Sequence, residues 1–393
     1  MINVRLLSGA ASALICSGIF PPLEAAEAKL PSTVIRSDLS YRNEIQHSID
    51  NGLKWLVANQ HSNGWWSTPD QPAVTGLALL ALRSDPNTQA SLRHAEAVAK
   101  GYRHLVSCVQ PDGSIHRANL PTYNTSICLM ALLASPNPEH HSIARRARAF
   151  LVRLQSDFGE PGKLDTQFDG GIGYGSKYEH SDMGNTVQAL EAIYYSRHLV
   201  RDQNADAPDL NWEALRSFLQ NCQNLSSHNS QPWVSEDPRD KGGFVYYPGH
   251  SMAGGTTNTA TGRISLRSYG SISYAGLLSY IYADLKASDA RVVAVKDWLK
   301  ANYTLHENPG MGLQGLYYYF HTMAKALNTA GIDELEIENG TRVVWRRELS
   351  SRLLNLQQRD GSWSNENARW WEKDSSLVTS YGVLALAITI RGL

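Results

Sequence analysis

Asp182 and His321 supply a carboxylate and an imidazole, a pair able to shuttle protons near neutral pH when they lie within hydrogen-bond reach. They accompany a column of residues that stands one position ahead of six comparable places: Val74, Asn124, Asn185, Tyr274, His321 and Val378 precede Thr75, Thr125, Thr186, Ala275, Thr322 and Thr379. Four members of that column are polar, where purely structural segments prefer apolar residues. Asp182 and His321 are therefore the candidate catalytic residues. Asn124, Asn185, Tyr274, Tyr318, Trp370 and Trp371 are the candidate ligand-binding residues. The plain alternative is that Asp182 caps a helix and His321 is a hydrogen-bonded core residue. The acidic groups Asp165 with Asp169, Glu236-Asp237 with Asp240, and Glu372 with Asp374 fall in expected loops and read as solvated turn acids. Asp182 with Asp374 is the one pair to nominate for hydrolysis by two carboxylates.

Repeated elements must position these residues. Gly52-Leu53-Lys54-Trp55-Leu56 leads to Gln60 and Gly64-Trp65-Trp66, and near the C-terminus Leu353-Leu354 leads to Gln357 and Gly361-Ser362-Trp363. The first half recurs as Phe150-Leu151 with Gln155 and Phe218-Leu219 with Gln223, and with drift as His104-Leu105 with Val109 and Trp298-Leu299 with Tyr303. Each copy lies on a stretch of helical period, is followed by a glycine turn (Gly64, Gly113, Gly171, Gly243, Gly312, Gly361), and closes with a segment apolar nearly all round. Gly170-Gly171-Ile172-Gly173-Tyr174 and Gly242-Gly243-Phe244-Val245-Tyr246 read as two copies of one turn. Fixed-period self-similarity of this kind denotes stacked supersecondary units. Six helical hairpins with a buried second helix predict an all-α domain, a closed (α/α)6 double ring over residues 43–393. Solenoid ends usually degenerate into polar caps, whereas the terminal copies here are the best preserved, which favours closure over an open solenoid.

Bulk properties exclude some functions. Residues 1–28 have a short basic start, an apolar run from Leu6 to Phe20 and a small-x-small site at Ala26-Glu27-Ala28, so they predict an export signal and a periplasmic or extracellular protein. Residues 29–42 form an expected N-terminal extension. Removing residues 1–28 takes away Arg5, Glu24 and Glu27 and leaves 35 basic and 35 acidic residues, a balance that does not indicate a nucleic-acid partner. No later segment has the length and apolarity of a membrane span, so any membrane contact of the mature chain is peripheral. Cys108, Cys128 and Cys222 allow at most one disulfide, so the fold depends on its core. Two long connections, 156–181 and 226–270, exceed simple turns and are candidate lids. The sequence leaves the oligomeric state open.

The Gln60-to-Trp66 unit resembles the repeat of squalene and oxidosqualene cyclases, and the paired helices with a following threonine resemble the repeat of protein prenyltransferase β subunits. The resemblance, to the terpenoid cyclase and prenyltransferase α/α toroids, covers about residues 43–390. It implies a cavity whose mouth is ringed by the N-terminal ends of the inner helices. It does not carry the activities over. The Asp-x-Asp-Asp acid of squalene-hopene-type cyclases is missing. At the zinc site of the prenyltransferases, Ser271-Ile272-Ser273-Tyr274 stands where that family has Asp-Gly-Cys-Tyr, and His321 alone does not make a zinc site. No metal and no cofactor are therefore expected. No cysteine has the Gly-Cys-Gly-Glu-Gln setting of complement-like thioester domains. Three readings stand: a toroid that binds or transforms a lipid or isoprenoid-like small molecule, a carbohydrate-active toroid, and a non-catalytic ligand-binding or interaction module.

Overall fold

The computed structural model describes residues 32–87, 94–175, 180–201, 208–337 and 340–393. The expected export signal, residues 1–28, lies outside them. Thirteen helices follow in order among the described residues: α1 (Ser32–Ala58), α2 (Pro72–Arg83), α3 (Ala95–Ser107), α4 (Pro121–Leu133), α5 (His140–Arg153), α6 (Met183–Tyr195), the short α7 (His198–Arg201), α8 (Trp212–Asn221), α9 (Gly270–Tyr282), α10 (Ala290–Ala301), α11 (Leu316–Thr329), α12 (Trp345–Leu356) and α13 (Ser375–Arg391). α1 runs unbroken through residue 43, the expected start of the repeat domain.

α2, α4, α6, α9, α11 and α13 each pack on the next, and α13 packs back on α2, so the inner ring is closed. α1, α3, α5, α8, α10 and α12 form the outer layer. The difference in burial follows from composition. Nearly every residue of α2, α4 and α9 is buried, whereas α3 and α8 bury one face, as amphipathic helices do. No helix among the described residues is long and apolar enough to cross a membrane. Cys108, Cys128 and Cys222 are buried and unpaired.

Side-chain hydrogen bonds explain the repeated motif. The amide of Gln60 donates to the carbonyls of Gly64 and Ala97, and that of Gln155 to Gly170 and Asn211. Gln223 bridges Gly242 and Arg291 in the same way, and Gln357 bridges Gly361 and Ser48 across the closure of the ring. Each glutamine thus ties its glycine turn to a neighbouring outer helix or its cap. The glycine is left-handed and pressed against that same helix: at Gly242, with φ +95°, a methyl group would lie 2.3 Å from the Ala294 carbonyl oxygen. The indoles of Trp66 and Trp363 donate to the carbonyls of Leu56 and Leu353, ten residues back in each case.

A second bond sets the register. Two residues past the glycine, a backbone N–H donates to a hydroxyl on the inner helix: Trp66 to Thr75, Ile115 to Thr125, Ile172 to Thr186, Phe244 to Ser273 and Trp363 to Thr379. This corrects the aligned columns. The turn glycines of the third and fourth repeats are Gly170 and Gly242, not Gly171 and Gly243, and the fourth hydroxyl is Ser273, not Ala275. The position before it is therefore Ile272 rather than Tyr274. In the third and fourth repeats the chain between glutamine and glycine is longer, but the glutamine bridge is kept.

Candidate functional site

The N-terminal ends of the inner helices surround a half-enclosed cavity of about 240 Å³. Among the expected ligand residues, Asn185, Tyr318, Trp370 and Trp371 line it. Its apolar side comes from Ala73 and Val74 on α2, Leu377 on α13, and Leu120. Its polar side comes from Asn185 and Gln188 on α6 with Tyr174 and Tyr246. α6 and α13 lie three places apart in the ring, on opposite sides of it. Tyr123 and Tyr381 close one flank, with their hydroxyls 3.3 Å apart.

The other expected residues lie behind this surface. Asn124 is buried and spans helix ends, accepting from the Ala73 N–H at 2.9 Å and donating to the carbonyls of Asn119 and Leu120. Tyr274 is turned into the wall, its ring 5.7 Å from that of Tyr319, as the corrected register requires. Asp182 is the N-cap of α6: its carboxylate accepts from the Asn185 N–H and from the Asn185 side-chain amide, each at 2.8 Å. Burial holds its pKa above the ordinary aspartate value, and the hydrogen bonds from Asn185 and Tyr246, with nearby His180, only partly offset it.

His321 lies one turn below Tyr318 on α11, with its ring 5.3 Å from that of Tyr381. Burial, and secondarily the Lys325 ammonium, hold it well below the usual histidine pKa, so it is neutral near pH 7. One further turn down, Lys325 meets Glu191 of α6 at 2.5 Å, an ion pair that crosses the ring interior below the cavity. Neither Asp182 nor His321 is among the described lining residues: Asp182 caps the N-terminus of α6, and His321 lies within α11, one turn beyond Tyr318.

Glu372 is the one carboxylate among the described lining residues. It accepts from the N–H groups of Tyr317 and Tyr318 at 3.2 and 2.7 Å and from the Asn365 amide at 2.7 Å, so it caps α11 from another segment. Burial raises its pKa, and these hydrogen bonds oppose the rise. This buried group corrects the reading of Glu372 as a solvated turn acid. Directly before it, Trp370 and Trp371 have φ of +53° and +67° and remain 40% and 49% exposed at the rim. Leu120, also lining the cavity, has φ +55°. Left-handed backbone at non-glycine residues costs about 1–3 kcal/mol each and gathers at ligand clamps. Here it is spent on two exposed indoles and a leucine that face the cavity.

The two long connections pack on each other beside the mouth. The rings of His180 and Tyr247 are 4.3 Å apart, and those of Tyr247 and His250 are 4.8 Å apart. The second connection contains an antiparallel hairpin, β1 (Gly255–Thr257) with β2 (Ile264–Leu266). Sequence reasoning missed Gln188 and Tyr381 as lining residues. Both were reachable by helical period, three residues beyond Asn185 and Val378.

No protein-family profile matches the chain, and no curated protein matches it in sequence. Solved structures do match in fold. A variant of the type II terpene cyclase MstE from Scytonema, in complex with its substrate geranylgeranyl dihydroxybenzoate, is 14% identical over 90% of this chain and 100% of that one, with a TM-score of 0.51. Another variant of the same cyclase, with its product merosterolic acid A, gives 13% identity over 90% and 99% of the two chains and a TM-score of 0.51. An inactive variant of the α-1,6-mannanase GH76A of Salegentibacter sp. HEL1_6, in complex with α-1,6-mannotriose, gives 11% identity over 88% and 99% and a TM-score of 0.53. At such identities the likeness is one of fold.

Proposed function

We propose that this protein, an α/α toroid, binds, and acts on, a neutral lipid or isoprenoid-like small molecule in its central cavity. One observation carries this reading. The cavity is lined by aromatic and aliphatic side chains with a few uncharged polar groups and the Glu372 carboxylate, and no lysine, arginine or histidine is among the described lining residues. A diphosphate or other anionic headgroup would have no counter-charge there. Glu372 is already engaged by three donors, which disfavours a cationic ligand. Apolar ligand surface can lie against α2, α13 and the tryptophan rim, with a polar end toward α6. The ligand-bound terpene cyclase structures of the same fold support this choice of ligand class.

The carbohydrate reading has the mannanase likeness in its favour. Hydrolysis of a glycosidic bond generally uses two carboxylates flanking the bond. Glu372 is the one carboxylate among the described lining residues, and neither Asp182 nor Asp374 is among them; both act as N-caps. The proposal also includes export directed by residues 1–28, which N-terminal sequencing of the purified protein tests.

Mild native purification followed by solvent extraction and mass spectrometry tests the ligand class. A neutral, hydrocarbon-rich molecule at near-stoichiometric ratio, lost in Trp370→Ala/Trp371→Ala, is the expected result. An oligosaccharide or a phosphorylated ligand would overturn it.

A further inference from the structure

Tyr123 and Tyr381 both line the cavity, and their hydroxyls lie 3.3 Å apart. Tyr123 is on the first turn of α4, and Tyr381 stands one turn beyond Leu377 on α13. α2 packs between those two helices in the ring and supplies Ala73 and Val74 to the lining, so the hydroxyls meet beside an apolar wall. The Tyr381 ring is held by its neighbours on α11, with ring centres 5.3 Å from His321 and 6.1 Å from Tyr318.

A count of protons decides what this pair can do. Each phenol carries one O–H proton. The single hydrogen bond between the two oxygens uses one of them, whichever residue donates it. The second proton then has no acceptor among the described residues, and the count is the same in either direction. Burial raises the pKa of both phenols above the ordinary tyrosine value, and the Glu372 charge adds to the rise in both, so the two protons stay in place at neutral pH. Glu372 itself is held by three other donors. A donor left open beside an apolar wall gains from any acceptor that reaches it, because water competes poorly there. We propose that Tyr123 and Tyr381 form a shared hydrogen-bond donor that binds an acceptor oxygen of the ligand, a carbonyl or an ether, on the apolar side of the cavity. The proposal rests on the lipid reading above and adds a chemical requirement to it: an oxygen set apart from the polar end that faces α6. Because the open proton belongs to the pair, either hydroxyl alone suffices to supply it.

The test uses two probes of one carbon skeleton, the isoprenoid ketone geranylacetone and its hydrocarbon counterpart in which a methylene replaces the carbonyl. Both are titrated calorimetrically at neutral pH against the full chain. The wild type should bind the ketone about fivefold more tightly than the hydrocarbon, the equivalent of one hydrogen bond. Tyr123→Phe and Tyr381→Phe should each keep that preference, since one hydroxyl with one open proton remains. Tyr123→Phe/Tyr381→Phe should bind the two probes alike, with its affinity for the hydrocarbon unchanged. Infrared spectra give a readout that packing alone would not move: the carbonyl stretch of the bound ketone should fall to lower wavenumber in the wild type and both single variants, and return in the double variant. Equal binding of the two probes by the wild type, or a preference that survives the double variant, overturns the donor site and leaves the lipid cavity standing. Loss of the whole preference in one single variant overturns the sharing of the proton. Failure of both probes to bind overturns the lipid reading and the donor site together.

Discussion

Gln223 offers the sharpest test of how the repeat frame holds the cavity. Its side chain is fully buried and makes three hydrogen bonds: the amide donates to the carbonyls of Gly242 and Arg291, each at 2.9 Å, and its oxygen accepts from the Tyr280 hydroxyl at 2.8 Å. Gln223→Met keeps length and volume but removes all three. Each bond contributes about 1 kcal/mol net, and a buried polar group left without a partner costs about 1–3 kcal/mol. With Tyr280 also fully buried, a loss of about 3–5 kcal/mol is expected. The equivalent Gln60 makes two such bonds and is partly exposed, so water replaces them and Gln60→Met should cost about 1 kcal/mol. Urea unfolding followed by circular dichroism measures both, with an unchanged m-value marking an effect on stability alone. Equal losses at the two positions, or a Gln223→Met loss below about 1 kcal/mol, would refute the argument that burial of the bridge sets its worth.

Other perturbations have equally definite signs. Burial raises the folded pKa of Glu372 above the ordinary glutamate value, so the folded state holds that proton to higher pH than the unfolded chain. Its contribution to stability is present at acid pH and is lost as pH rises from about 4.5 through the folded value, and Glu372→Gln should flatten that slope in pH-dependent melts. His321 behaves in the opposite sense: with a folded pKa well below 6.5, it makes stability fall as pH drops through 6.5, and His321→Gln should remove that part of the acid sensitivity. Lys325→Met leaves Glu191 buried without its partner and should cost about 3 kcal/mol, whereas Lys325→Met/Glu191→Leu should recover most of it in the same unfolding assay. Trp370→Ala/Trp371→Ala should abolish retention of the extracted ligand while leaving the circular dichroism spectrum unchanged, since both side chains sit at the rim rather than in the core.

The repeat itself was legible because its residues act locally. The glutamine that ties the turn to an outer helix recurs in four repeats with its left-handed glycine, and an indole donating ten residues back marks the first and last, so these residues stand at recognisable places in the sequence. The alignment failed where one chemical role changed residue type. Ser273 does for the fourth repeat what threonine does elsewhere, and matching threonine to Ala275 moved the polar column from Ile272 to Tyr274. In the fifth repeat the His321-Thr322 step resembled the column, although Tyr318, a turn earlier, is the residue at the cavity.

By itself the sequence determined the six hairpins, their closure and which helices lie inside, because hydrophobic periodicity and repeated turn chemistry are properties of neighbouring residues. Only the tertiary structure decided which polar residues face the cavity. Asn124 and Asn185 stand one place before the threonines of successive repeats, yet one is fully occupied in bridging helix ends and the other lines the cavity. Likewise, Tyr174 and Tyr246 are 72 residues apart, and their hydroxyls meet because two copies of one turn are set side by side by the ring. Such pairings depend on rotamers and on distances across the ring, which residue order does not encode one position at a time.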